Sequence, residues 1–177
     1  MLTNSTLRCG WTAGLLAAVL TALLSIVTAP AAQAAAYAGP YQIKFEHSGK
    51  CLDLYQNQAR EGAKVQQWTC AARSASNINH QLWVFDWVSD DGGAQIRKPG
   101  TNLCVQGDLD NGGNVYLWTC GYEVWTGYLM HGGPPDWYQL RVGDYCLDMP
   151  RSSQTDGQAP QMWSCVSSSA NQHLSWW

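Results

Sequence analysis

The chain has 177 residues, ten Lys and Arg against 13 Asp and Glu, and a charged fraction of 13%, about half that of an ordinary soluble domain. No basic cluster occurs, which excludes nucleic acid as a partner, since affinity for phosphate needs concentrated positive charge. Trp occurs ten times and Phe twice; Trp stacks and donates hydrogen bonds at partly wet surfaces, so a neutral polar ligand suits this chain better than a charged one.

Residues 1–36 carry one charged side chain, Arg8, ahead of an apolar Ala- and Leu-rich run at 13–27, then Pro30 and "AAQAAAY". A basic start, a short apolar run and an A-x-A exit predict a secretory signal peptide cut after Ala34 or Ala36. The competing reading is an uncleaved anchor, but the run is shorter than the roughly 20 residues of a spanning helix. The expected product is a secreted domain, 37–177, with no membrane attachment.

That domain opens on "YQIKFEH" (41–47), in which Tyr41, Ile43 and Phe45 alternate with Gln42, Lys44 and Glu46 as in a half-buried strand. Three similar units follow: "GKCLDLYQNQAREGAKVQQWTC" (49–70), "TNLCVQGDLDNGGNVYLWTC" (101–120) and "GDYCLDMPRSSQTDGQAPQMWSC" (143–165). Each has Cys, a turn-rich middle with Gly, and an x-x-Trp-Thr/Ser-Cys ending. With Cys9 in the removed segment, six cysteines remain, an even number suited to a disulfide framework in an exported chain. Fifteen connectivities are formally open; the repeat argues for the sequential set Cys51–Cys70, Cys104–Cys120 and Cys146–Cys165. Each such loop would contribute about 3 kcal/mol by restricting the unfolded chain.

Strand-like "VYLWT" (115–119) and "YQLRV" (138–142) are separated by Gly-rich turns, and no sustained helical spacing appears. Repeats of about 41–88, 94–140 and 141–177 predict a closed all-β body with pseudo-threefold symmetry, whose units bury their apolar faces only together.

Cys-Leu-Asp, then Gln-x-Trp-x-Cys, then an Asn-Gln-x-Trp-like ending resembles the ricin B-type lectin domain, across residues 40–177. The resemblance implies a β-trefoil in which a repeat holds a galactose-type sugar by the Asp, the Gln and aromatic of Gln-x-Trp, and an Asn beyond the closing Cys. The chemistry is reasonable: a carboxylate accepts from adjacent hydroxyls, amides both donate and accept, and an indole covers the apolar face of the ring. Carried over, the third repeat offers Asp148, Gln161, Trp163 and Asn171, with Leu174 in place of a core Trp. The first offers Asp53, Gln66, Trp68 and His80, the last where Asn is expected and with Asn79 one place early. The second has Gln106 for Asp, Tyr116 for Gln, and no Asn in "GGPPDWYQL", so it should be inactive in that manner. Its long segment 121–133, with Tyr122, Trp125, Tyr128 and His131, either forms another contact surface or covers the open end of the barrel.

Structural readings stand beside these. Asp53 and Asp148 could cap turns beside a disulfide, Gln161 could satisfy buried backbone, and Trp68, Trp118 and Trp163 could be core or ligand plate. Trp83 and Trp137 read as core. No H-E-x-x-H, C-x-x-C or G-x-S-x-G pattern is present, and no cofactor or metal is expected. The expectation is a secreted carbohydrate-binding lectin for galactose-like sugars or xylan- or arabinan-type plant polysaccharides, not an enzyme. The alternative is a non-lectin β-trefoil gripping a protein partner, such as a hydrolase, through residues 121–135.

Overall fold

The computed structural model describes residues 37–88, 93–121, 125–131 and 136–177. The predicted signal peptide therefore lies outside the described residues, as do Tyr122 and residues 132–135. A leading strand β1 (Tyr37–Tyr41) precedes three sets of four. The first is β2 (Ile43–Phe45), β3 (Cys51–Leu54), β4 (Val65–Trp68) and β5 (Trp83–Trp87). The second is β6 (Gly93–Arg97), β7 (Leu103–Gly107), β8 (Gly113–Thr119) and β9 (Trp125–His131). The third is β10 (Trp137–Val142), β11 (Tyr145–Asp148), β12 (Gln161–Ser164) and β13 (Leu174–Trp176).

The pairing is antiparallel throughout. A barrel closes in the order β1, β5, β6, β9, β10, β13, β2, because β1 and β2 are separated only by Gln42 and pair on opposite sides. Hairpins β3–β4, β7–β8 and β11–β12 branch from it and touch one another through β8–β12 and the Lys64–Tyr116 bridge. This is the expected all-β trefoil, and its disulfides are the sequential set 51–70, 104–120 and 146–165. The third set begins at Trp137, earlier than the boundary near 141 read from the cysteines, because β10 forms a hairpin with β11.

The core gathers Ile43, Phe45, Leu52, Val105, Leu147 and their neighbours from every set. Two indoles anchor it: Trp83 Nε1 donates to Leu52 O and Trp125 Nε1 to Val105 O, each at 3.0 Å. That symmetry corrects two expectations. Trp125 is the second repeat's core Trp, opening strand β9, and is no part of a surface loop. Trp137 is only half-buried. The third repeat fills the same place with fully buried Leu174, which needs no acceptor.

Each β-hairpin loop is clamped to the next repeat at one equivalent place, the Thr or Ser before the closing Cys. Asp156 accepts from Thr69 N at 2.8 Å and Oγ1 at 2.9 Å. Asn111 Oδ1 accepts from Ser164 N at 2.7 Å and Oγ at 2.9 Å. Glu61 accepts from Thr119 Oγ1. Lys50 adds an ion pair to Asp156 at 2.7 Å; burial pushes that carboxyl up, but the bonds from Lys50 and Thr69 outweigh it and hold it below its usual range.

Candidate functional site

In the third repeat, Asp148 ends β11 directly across from Gln161 on β12. Gln161 Nε2 donates to Asp148 Oδ1 at 2.8 Å. Two residues on, on the same face of the strand, Trp163 is 40% exposed. Asn171 sits in a 3-10 turn, Ala170–Gln172, whose backbone reaches β11's end through Met149 N to Asn171 O at 3.1 Å. Buried Gln172 holds that turn by accepting from Val166 N at 2.8 Å and donating to Ser164 O at 3.1 Å. All four predicted side chains thus line one open depression of about 930 Å³, together with Arg151 and Ser153. Gln161 contacts the carboxylate and not buried backbone. Among the described residues, Asp148 Oδ2 has no hydrogen-bond partner.

The chain leaves Asp148 through a 3-10 turn, Pro150–Ser152, with Arg151 and Ser152 at φ 56° and 49°. Gln56 and Asn57 repeat this left-handed pair after Asp53, at φ 51° and 53°. Non-glycine residues held there are strained, and such strain persists only where the surroundings enforce it. The second repeat has no such pair at 108–110.

In the first repeat, Asp53 faces Gln66 across β3–β4. Its Oδ1 accepts from Gln66 Nε2 at 2.9 Å and its Oδ2 from Gln81 Nε2 at 3.3 Å. Neither this carboxylate nor Asp148 takes the backbone N–H that turn capping requires. Asp53, Gln66, Trp68 (42% exposed) and His80 line a depression of about 370 Å³ with Tyr55 and Asn77. Beneath it lies a residue the sequence did not flag. Lys98, 4% exposed, takes the position of core Phe45 in the first repeat and Val142 in the third, by register with the first Cys of each hairpin. Its ammonium donates to Asn79 O and to Leu82 O at 3.4 Å, and stands 5.2 Å from the Trp83 ring centroid. Burial drives the Lys98 pKa down to about 8 against the opposing pull of Asp53. Burial also raises the Asp53 carboxyl, opposed by its Gln66 and Gln81 bonds and by the charges of His80 and Lys98.

In the second repeat, Gln106 pairs with Tyr116. Tyr116 Oη donates to Asp108 Oδ1 and Asn114 Nδ2 to Asp108 Oδ2, both at 3.1 Å. The acid has moved two positions along the chain and outward. The Asn-equivalent place, counted back from Trp125 as His80 is from Trp83, falls on Tyr122, outside the described residues.

Sequence reasoning missed Lys98, Asn77, Arg151 and Ser153. It also missed Gln67, which is fully buried and donates to Ser153 O at 2.7 Å and Thr155 O at 3.0 Å, pinning the loop that walls the third depression. One signal was available: Gln67 stands where the other repeats place apolar Leu117 and Met162.

The sequence model of the family described as "Ricin-type beta-trefoil lectin domain" matches residues 39–174. Among solved structures, the Rhizoctonia solani agglutinin is similar at TM-score 0.63 and 18% identity, covering 84% of this chain and 98% of that one. The Macrolepiota procera ricin B-like lectin, solved with lactose, matches at TM-score 0.60 and 16% identity, over 80% and 94%. An exo-β-1,3-galactanase from Clostridium thermocellum matches at TM-score 0.64 and 23% identity, over 77% of this chain but only 29% of the enzyme. No curated protein sequence matches significantly.

Proposed function

We propose that this chain, which belongs to the ricin-type β-trefoil lectin family, is a secreted carbohydrate-binding module with its principal sugar site in the third repeat and a second, altered one in the first. The observation that carries this reading is the meeting of Asp148, Gln161, Trp163 and Asn171 around one open depression, with a carboxylate oxygen left over. Asp148 Oδ2 accepts from a ring hydroxyl, the Gln161 and Asn171 amides serve neighbouring hydroxyls, and Trp163 stacks on the apolar C–H face. Such a site binds without bond cleavage: one carboxylate faces the ligand, whereas glycoside hydrolysis uses two across the scissile bond. The ligand class is galactose-like sugars or galactose-, xylose- or arabinose-bearing plant polysaccharide. A single shallow site holds a monosaccharide at roughly millimolar Kd, about −4 kcal/mol, and two on one body gain avidity on a polymer.

A glycan array followed by retention on galactose and xylan matrices tests the reading. The wild type should be retained, and Asp148→Ala combined with Asp53→Ala should elute freely. Retention of that double variant, or no signal on the array, overturns it. N-terminal sequencing of the exported protein should begin at Ala35 or Tyr37.

A further inference from the structure

The segment Gln158–Gln161 is a ridge between two depressions. Gln158 and Gln161 line the third-repeat site; Ala159 and Pro160 line a neighbour of about 450 Å³. Its remaining wall includes Lys64, Asn114, Tyr116 and Trp118. Lys64, Asn114 and Ala159 are equivalent positions of the three repeats, each two residues before the strand partner of Asp53, Gln106 or Asp148. The depression therefore lies about the pseudo-threefold axis, where the hairpins meet, and belongs to no single repeat.

Its chemistry repeats that of the adjoining site. Asn114, Tyr116 and Trp118 alternate along β8 with buried Val115 and Leu117 and so share the outer face. Trp118 is 40% exposed and packs edge-on against Tyr116 at 6.1 Å between centroids. Hydrogen bonds to Asp108 orient the Tyr116 hydroxyl and the Asn114 amide, and Lys64 Nζ is placed by Gly157 O at 2.7 Å. An exposed indole with aligned polar groups beside it is an arrangement for a second polar ring. Trp68 and Trp163 serve acids in their own repeats. Trp118, whose repeat has no acid at that place, lines this depression beside Gly62.

We infer that the axial depression is a subsite continuous with the third-repeat site, so that the ligand is a saccharide chain that crosses Pro160, with one unit at Asp148 and a later unit on Trp118. This rests on the lectin reading and specifies its ligand as internal chain, not a lone terminal sugar. Calorimetric titration with galactose and xylose, each as the monosaccharide and as its β-linked tetrasaccharide, reads it out. For the sugar that binds, the tetrasaccharide should bind roughly tenfold more tightly than the monosaccharide, the increment of one stacked ring. Trp118→Ala should erase that gain and leave monosaccharide affinity unchanged, Asn114→Ala should reduce it, and Asp148→Ala should weaken both lengths. The inference is overturned if the gain is absent, if it survives Trp118→Ala, or if that variant weakens the monosaccharide equally. Should neither sugar bind at any length while the array still shows a ligand, this inference falls alone; an empty array removes the lectin reading as well.

Discussion

The first and third repeats build the same hairpin, the same left-handed exit turn and the same Asp–Gln pair, yet arrive at different sites. Among the described residues Asp148 keeps one oxygen without a partner, while Asp53 has both engaged, because Gln81 Nε2 reaches it as well as Thr69 O, whereas its counterpart Gln172 donates to Ser164 O and not to the carboxylate. The open volume falls from about 930 to about 370 Å³. Under the first site lies a buried ammonium where the third has Phe45, across from Leu174. A repeat can therefore keep its Asp, Gln and Trp and still change its site through positions on neighbouring elements.

Three perturbations probe that difference. The largest effect belongs to Trp83→Ala, which removes the indole beneath Asp53 and its bond to Leu52 O. It should cost about 3–5 kcal/mol in urea unfolding, while the folded fraction keeps third-site binding. Equal loss at both sites would show that the repeats do not support their sites independently.

Lys98→Met comes next. Unfolded Lys98 holds its proton to about pH 10.5 and folded Lys98 releases it near 8, so between these values the unfolded chain binds more protons and rising pH favours the fold. Wild type should gain about 3 kcal/mol relative to Lys98→Met from pH 8 to 10.5. Parallel stability profiles of the two proteins would rule out a buried, charged Lys98. The smallest effect is that of Gln67→Leu, which restores the apolar residue of the other repeats but removes the side-chain bonds to Ser153 O and Thr155 O, leaving them to His47 Nε2 at 2.9 Å and Gln158 N at 3.3 Å. A cost of about 1 kcal/mol in third-site affinity, with first-site binding unchanged, is the expected result.

Much of this molecule was legible in the chain. Cysteine spacing and the recurring x-x-Trp-Thr/Ser-Cys endings predicted three units, their disulfides and a closed β body, because these depend on local order that survives in the sequence. The juxtaposition of Asp148, Gln161 and Trp163, which the proposed site uses, was legible for the same reason, since cross-strand partners in one short hairpin stand at fixed offsets. Trp125 was missed because the closing Cys lies only five residues before it, against thirteen before Trp83 and nine before Leu174. Unequal loops hide equivalent positions that the barrel makes plain.

By itself, then, the sequence determined the repeat, the disulfide framework, the strand character and the acid–amide–indole set of the first and third hairpins. All are set by contacts within about 25 residues of chain. Whether an Asp keeps a free oxygen, which cation lies beneath the first site, and which loop residue of one repeat is held by Gln67 of another were decided only in three dimensions. Those contacts join residues far apart in the chain, such as Gln67 to Ser153 or Lys50 to Asp156. Desolvation there depends on what the whole barrel encloses, and not on any neighbour in sequence.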